Sequence, residues 1–400
     1  MIKLSRRQVL LSAAAVPLAG CSVSNVPDDP MASRLAAFHV RDPGAGYVDS
    51  GYRRKILRVS RDPVLMALRD TLLKGVDCHE ISKIPVQDGQ ITLPTFYGDN
   101  AGWRQAVKPF WAIERAVAKL ASANLVAPDR RFADCLISVL LKWARRDAMM
   151  DFTFENKNKQ AWFQIEATLF TMALALSAVR RDVPHRSADL EFIDDWLVRT
   201  AYNHYAIKGG EGGTCCNNHF YRRALYATII GVMAQDDFLF RQGVKAVLTA
   251  LDGALPDGAL PLEMARGDRA AHYQNYALNY LVPIAQIIER QGYPVWNMSF
   301  GGSSLHALIA FNNSVLMNPE TVLQHANTQE IYLDYLEDDQ YFAWFEIYLS
   351  KFRSAFMETW AARRRPLFNR TLGGNLTAFF YRDLHAEQRL AAAGVQSAPP

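Results

Sequence analysis

The sequence predicts an all-α protein, specifically an (α/α) toroid or incomplete barrel of helical hairpins. Three observations carry that prediction. Apolar residues recur with a 3.6-residue period through most of the chain, the connections between such segments are short and carry Gly, Pro, Asp or Asn, and alternating strand-like patterns are scarce. Many helices of similar length joined this way stack as hairpins, and a ring of hairpins offers a concave face to a chain-like ligand.

Taken in order, the helical segments are Pro63 to Val76, Trp103 to Ala123, Asp129 to Ala148, Lys159 to Val179, Ala188 to Ala206, Asn218 to Ala234, Phe238 to Ala250, Arg269 to Gln291, Gly302 to Asn312 and Gln340 to Arg363. Gln90 to Phe96 is the best of a weak set of strand candidates. No Gly/Ser- or Pro-rich linker divides the interior, so residues 61–390 are expected to form one toroid domain. Residues 21–60, rich in Pro, Asp, Gly and Ser, read as a tether and lead-in, and residues 391–400 as a flexible tail.

Residues 1–20 form an export signal and take no part in the fold. Lys3, Arg6 and Arg7 make a basic start, Val9 to Leu18 a short apolar run, and Leu18-Ala19-Gly20-Cys21 a small-residue processing site. The apolar run is far short of the roughly 20 residues that span a bilayer as a helix. Ser5-Arg6-Arg7-Gln8-Val9-Leu10 resembles a twin-arginine signal, leaving the Sec and twin-arginine routes both open. The Leu-Ala-Gly-Cys string resembles a bacterial lipobox, which implies a lipidated Cys21 and a periplasmic, membrane-anchored protein; the alternative is an ordinary signal with an incidental cysteine.

The full chain carries a net charge of +4, and loss of the three leader cations leaves +1. A near-neutral body excludes a global attraction for nucleic acid, so any polyanion must be held by a local cleft. The membrane enters only through the anchor, and a monomer is expected.

Five cysteines in an exported chain invite disulfides. With Cys21 assigned to lipid, Cys78, Cys135, Cys215 and Cys216 remain; Cys215 and Cys216 either join as a vicinal disulfide or stay as buried thiols. No metal site is expected, because His-Glu-x-x-His and paired Cys-x-x-Cys patterns are absent and the nine histidines are scattered.

Chemistry concentrates in two stretches, Cys215-Cys216-Asn217-Asn218-His219 and Arg266 to Tyr276. An amide, an imidazole, two guanidiniums and phenols suit proton abstraction beside a carboxylate. A sugar-acid polymer is cleaved by β-elimination when a base removes the C5 proton, the C5 carboxylate is neutralised and an acid protonates the departing O4. Asn218, His219, Arg266 and Tyr273 cover those functions. On a helix running from residue 266, Arg266, Arg269, Tyr273, Tyr276 and Tyr280 share one face. A tyrosine base, with an ordinary pKa near 10, needs flanking cations, and Arg266, Arg269 and His219 are candidates. The plainer reading is a tyrosine core stripe, solvated arginines and an Asn217-Asn218 helix cap.

Asn217-Asn218-His219 with Tyr221, Leu262-Glu263 and Arg266-x-x-Arg269-Ala270-x-x-Tyr273-x-Asn275-Tyr276-Ala277-Leu278 resembles the mannuronate-type alginate lyases, polysaccharide lyase family five. The resemblance is strong over Asn217 to Ala285 and weaker over Thr95 to Ser138 and Lys159 to Ala178. It implies an (α/α) toroid in the periplasm, an anionic polysaccharide as partner, no organic cofactor and no metal. It also implies that Asn218 and His219 neutralise the carboxylate, Arg266 binds it and Tyr273 is catalytic. In β-mannuronan the C5 proton and O4 lie on one side of the ring, so one tyrosine serves as base and then acid; for the opposite C5 configuration His219 is the more natural base. Some relatives carry disulfides that look like Cys215–Cys216 and Cys78–Cys135 here.

Two departures bear on the substrate. The family's Asn-His-Ser-Tyr-Trp becomes Asn218-His219-Phe220-Tyr221-Arg222, exchanging an aromatic sugar platform for a cation. Its lid motif, Lys-Tyr-Glu-Gly-Ser-Asp, looks like Thr95-Phe96-Tyr97-Gly98-Asp99-Asn100, which lacks the lysine but retains Tyr97. Tyr97, Arg222, Arg269 and Tyr276 are the expected substrate contacts. The resulting expectation is a polyuronate lyase acting on alginate; the alternatives are a lyase for a glucuronate-containing exopolysaccharide, a low-activity polysaccharide-binding or secretion-complex subunit, and a hydrolase using Asp236-Asp237 or Asp338-Asp339.

Overall fold

A computed structural model describes residues 30–151, 159–206 and 216–395. The expected lipidation site Cys21 and the expected disulfide half Cys215 lie outside the described residues. Eight long helices organise the body: α1 Lys108–Asn124, α2 Arg131–Ala144, α3 Lys159–Val179, α4 Ser187–Ala206, α5 Asn218–Ala234, α6 Asp237–Asp252, α7 Ala270–Arg290 and α8 Leu305–Met317.

They form two concentric layers, as expected of an α/α toroid. The first helix of each hairpin faces inward, and α1, α3, α5 and α7 pack on one another in sequence. Their partners α2, α4, α6 and α8 cover them from outside. Sequence explains the sorting. In α3 almost every residue is buried, from Ala161 to Val179, because an inner helix must be apolar around nearly its whole circumference. This helix is long and apolar enough to cross a membrane, yet 94 % of its apolar stretch is buried inside the protein. Outer helix α6 instead alternates buried Leu239, Phe240 and Val244 with exposed charges.

The chain ends close the ring. The short helices Leu376–Phe380 and Leu384–Ala392 pack on Ser50–Val59, and Tyr47, Ile56 and Leu57 join the common core. Residues from Phe38 onward, read from composition as a lead-in, are therefore built into the body; the apolar residues between their Pro and Gly punctuation are what bury. The antiparallel pair Phe368–Asn369 and Gly374–Asn375 lies against α1, where Asn375 N donates to Ser122 Oγ at 2.9 Å. Gly374 has φ +151°, and a Cβ there would sit 2.6 Å from Ser122 Oγ, so this approach needs glycine.

Several expected boundaries shift for identifiable reasons. The single helix expected over Trp103 to Ala123 is two, Asn100–Ala106 and α1, broken at Val107 ahead of Pro109. Gln340 to Arg363 divides into a 3-10 turn, Phe345–Leu349 and Ala355–Ala362, the last restarted by Ser354 accepting from Met357 N. Gly302 to Asn312 begins later, at Leu305, because Gly301 and Gly302 turn a small β-hairpin first. Gln90 to Phe96 buries Ile91 and Leu93 but finds no strand partner and stays irregular. Cys78 and Cys135 form the expected disulfide, tying the short helix Cys78–Ser82 to α2.

Candidate active site

The inner helix α5 starts at the site. Asn217 caps it, its Oδ1 accepting from His219 N at 3.1 Å, which sets Asn218 and His219 as the first helical residues. Asn218 is fully buried and gripped by one carboxylate: its backbone N donates to Glu263 Oε1 at 2.7 Å and its Nδ2 to Glu263 Oε2 at 2.9 Å. Among the described residues Asn218 Oδ1 has no partner. Burial pushes the Glu263 carboxyl up to about 7, against the lowering by Asn218 and Arg266.

Glu263 lies on the single turn Pro261–Met264, and Arg266 follows it. The expected continuous helix from residue 266 does not form. Gly267 adopts φ +62°, a short 3-10 turn runs to Arg269, and α7 begins at Ala270. The turn still delivers the shared face, because the Arg266 guanidinium carbon sits 4.0 Å from the centre of the Tyr273 ring. Arg269 is carried elsewhere, 4.2 Å over Tyr332 and 5.6 Å from Tyr97. Among the described residues neither arginine forms an ion pair with a carboxylate, so both keep their charge for a ligand.

Tyr97 reaches over from the loop before Asn100–Ala106. Its ring is 64 % exposed, it packs on Phe96, and its hydroxyl lies 3.0 Å from the Tyr273 hydroxyl. Burial raises the Tyr273 phenol beyond its ordinary value, and Arg266 pulls the other way without overcoming it. Of the three cations expected to flank Tyr273 only Arg266 is in place, Arg269 lies on Tyr332 and His219 is disfavoured as a cation, and the phenol stays above its ordinary value. Burial and the cations Arg222, Arg266, Arg223 and Lys159 depress His219 well below the usual imidazole range. Its Nδ1 is buried without a partner, and its ring stacks on Phe163 at 4.0 Å.

Tyr276 packs against Tyr273, Tyr280, His272 and Tyr341. Arg222 departs most from expectation. It is 7 % exposed, its Nη2 donates to the Phe163 carbonyl at 2.6 Å, and it lies near Tyr276, Tyr280 and Glu166. A guanidinium spent in this way acts on the site through Phe163 instead of being displayed to a sugar. Asp236 and Asp338 cap helical turns, Asp237 accepts from Val40 N and Asp339 pairs with Arg364, so each aspartate has a structural partner. Glu263 was part of the family motif but had no role assigned, and Phe163 and the ring of Tyr332, Tyr335 and Tyr341 around His272 were not expected from sequence. Only Glu263 carried a local signal, sitting three residues ahead of Arg266.

An amide, an imidazole disfavoured as a cation and a guanidinium, linked through Glu263 and Arg266 to a half-buried phenol, match the demands of removing a proton beside a carboxylate. The sequence matches the alginate lyase family profile over residues 82–322. The chain belongs to the alginate lyase family. It is 29 % identical to a polysaccharide lyase of Stenotrophomonas maltophilia, spanning 79 % of this chain and 95 % of that one, and 28 % identical to an alginate lyase of Pseudomonas syringae pv. syringae over 70 % and 73 %. Alginate lyase A1-III from Sphingomonas species A1 superposes with a TM-score of 0.79 at 30 % identity, covering 87 % of this chain and 99 % of that one. A His-to-Ala variant and a Tyr-to-Phe variant of A1-III have been solved with tetrasaccharide. The alginate lyase family assignment carries with it the (α/α) toroid and the enzyme class, a polysaccharide lyase.

Proposed function

We propose that this polysaccharide lyase cleaves the mannuronate chains of alginate by β-elimination, with Asn218, His219, Arg266 and Tyr273 as its catalytic residues. The observation that carries the proposal is the Arg266 guanidinium laid on the ring of the half-buried Tyr273, within the electrostatic reach of His219 and Glu263. Capture of a tetrasaccharide by A1-III variants supports an oligosaccharide occupant of the corresponding cleft.

The uronate carboxylate meets Arg266, the neutral imidazole of His219 and the Asn218 amide, which Glu263 holds in place. Neutralising that carboxylate acidifies the C5 proton, because the charge that develops as the proton leaves spreads onto the same oxygens. Tyr273 takes the C5 proton in its ionised form. The C5–H electron pair becomes the C4=C5 double bond, the C4–O4 bond breaks, and the departing O4 receives the proton back from Tyr273. One residue suffices because the proton and the leaving oxygen are syn in β-mannuronan. Arg266 favours the small phenolate fraction that this step draws on. Tyr97, hydrogen-bonded to Tyr273 and open to solvent, contacts the sugar together with Arg269 and Tyr276.

We also propose export and lipid anchoring at Cys21, on the strength of the Leu18-Ala19-Gly20-Cys21 string. Metabolic labelling with a clickable fatty acid, compared with Cys21→Ser, tests it: loss of label in the variant is expected, and an unlabelled wild type contradicts it. For the reaction itself, ultraviolet absorbance of the unsaturated uronyl product is followed on polymannuronate, polyguluronate and polyglucuronate. Fastest product formation on polymannuronate is expected. No chromophore on any of the three from folded protein removes the proposal, and a faster rate on polyglucuronate reassigns the substrate.

A further inference from the structure

We propose that Phe163 is a positioning residue for His219, clamped in place by Arg222; the inference rests on the role given to His219 above. An imidazole in an active site is ordinarily oriented by a hydrogen bond at one ring nitrogen. Among the described residues His219 lacks that anchor, since its Nδ1 is buried with no partner there. What defines the plane of the ring is a stack: the Phe163 and His219 centroids are 4.0 Å apart and their planes 18° from parallel. Among the described residues no other aromatic ring packs on His219.

The stacking partner is itself fixed. Arg222 lies three residues after His219 on α5, so both project from one face of that helix. Its Nη2 donates to the Phe163 carbonyl at 2.6 Å, and its guanidinium carbon is 5.9 Å from the Phe163 ring. Glu166 lies three residues after Phe163 on α3, fully buried, with neither carboxylate oxygen hydrogen-bonded. Burial pushes the Glu166 carboxyl up to about 7, against the lowering by Arg222 and Arg223, so it is an electrostatic neighbour of Arg222 and not a hydrogen-bonded partner. Phe163 and Glu166 from α3 thus interleave with His219 and Arg222 from α5. The clamp does two things at once. It holds the imidazole plane, and it places Arg222, alongside Arg266, Arg223 and Lys159, where positive charge adds to burial in disfavouring the protonated ring. A neutral ring of fixed plane presents a hydrogen bond to a substrate carboxylate with little reorganisation.

The test compares Phe163→Leu, Phe163→Met, Phe163→Tyr and His219→Ala, each checked for folding by circular dichroism, in the full mature chain. Two readouts are used: kcat and KM on the preferred polyuronate, and the proton resonances of the His219 ring, assigned by their loss in His219→Ala. A stacked ring shifts those resonances upfield. Expected are a kcat lower by about 10- to 100-fold in Phe163→Leu and Phe163→Met with little change in KM, loss of the upfield shift in both, and recovery of shift and rate in Phe163→Tyr. Wild-type kcat in folded Phe163→Leu or Phe163→Met, beside an inactive His219→Ala, overturns this inference and leaves the role of His219 standing. An active His219→Ala overturns both. A rate loss in the Leu and Met variants that Phe163→Tyr does not restore also overturns it, since the stack would then be intact without effect.

Discussion

The guanidinium of Arg266 lies 4.0 Å above the ring of Tyr273, and it is the cation that offsets part of the cost of ionising that phenol. Burial, and after it Tyr97 and Tyr276, drive the Tyr273 phenol upward, so the rate of a tyrosine-dependent elimination depends on what Arg266 recovers. Arg266→Gln is expected to lower kcat/KM by about 10² to 10³-fold, since it removes both carboxylate neutralisation and phenolate stabilisation. The surviving activity should rise to higher pH than in the wild type, because the phenol loses its lowering partner. A pH profile of kcat/KM measures both; an unshifted alkaline limb would separate Arg266 from Tyr273.

Glu263 takes both the backbone and side-chain N–H groups of Asn218. Glu263→Gln keeps the volume but presents a donor where Asn218 needs an acceptor, so the Asn218 amide is expected to turn over. A fall of about tenfold or more in kcat follows, from about 1.4 kcal/mol of lost transition-state contact. Glu263→Asp, which keeps the charge, should recover part of it. Equal rates in wild type and Glu263→Gln would show that the amide orientation does not matter.

The toroid and the catalytic segments were legible in the sequence to different degrees. Helix α5 begins and ends where periodicity placed it, at Asn218 and Ala234, because an Asn cap and a following Gln in the left-handed conformation bracket an apolar run. Arg266 and Tyr273 were paired correctly on a helical-face argument, although Gly267 breaks the helix between them. Their contact survives because a long guanidinium spans the turn. Phe163, Tyr332, Tyr335 and Tyr341 had no local signature. They reach the site from α3 and from the irregular stretch after α8, and only the closure of the ring brings them beside His219 and His272. Arg222 was read as a substrate cation since residue type says nothing of direction; the Phe163 carbonyl turns it inward.

His272 stacks on Tyr335 and packs beside Tyr341, Tyr332, Tyr276 and Tyr273, with neither ring nitrogen bonded. Burial, then Arg269 and Arg266, bring it down to about 4. The folded state therefore binds fewer protons than the unfolded chain between about pH 6.5 and 4, and stability falls as pH is lowered through that window. His272→Phe keeps the ring packing and removes the titration. It is expected to regain at most about 3 kcal/mol near pH 4 relative to pH 7. Thermal melts at both values check it; equal pH dependence in the two proteins contradicts it.

The Cys78–Cys135 bond closes a loop of 57 residues between the short helix Cys78–Ser82 and α2. Chain-entropy reasoning for a loop of this length gives about 4 kcal/mol of stabilisation. Cys78→Ser is expected to lower the Tm while leaving kcat unchanged at low temperature, because neither cysteine approaches Tyr273. A kcat loss in a still-folded variant would place the disulfide in the catalytic machinery.

The most direct measurement is the rate of unsaturated uronyl product formation, followed by ultraviolet absorbance, from wild type and Tyr273→Phe on polymannuronate. The variant keeps the ring under Arg266 and removes only the hydroxyl. Robust product from the wild type and a loss of about 10² to 10⁴-fold in folded Tyr273→Phe are expected of a tyrosine that is both base and acid. Wild-type rates in Tyr273→Phe would contradict the account and move the proton transfer to another group.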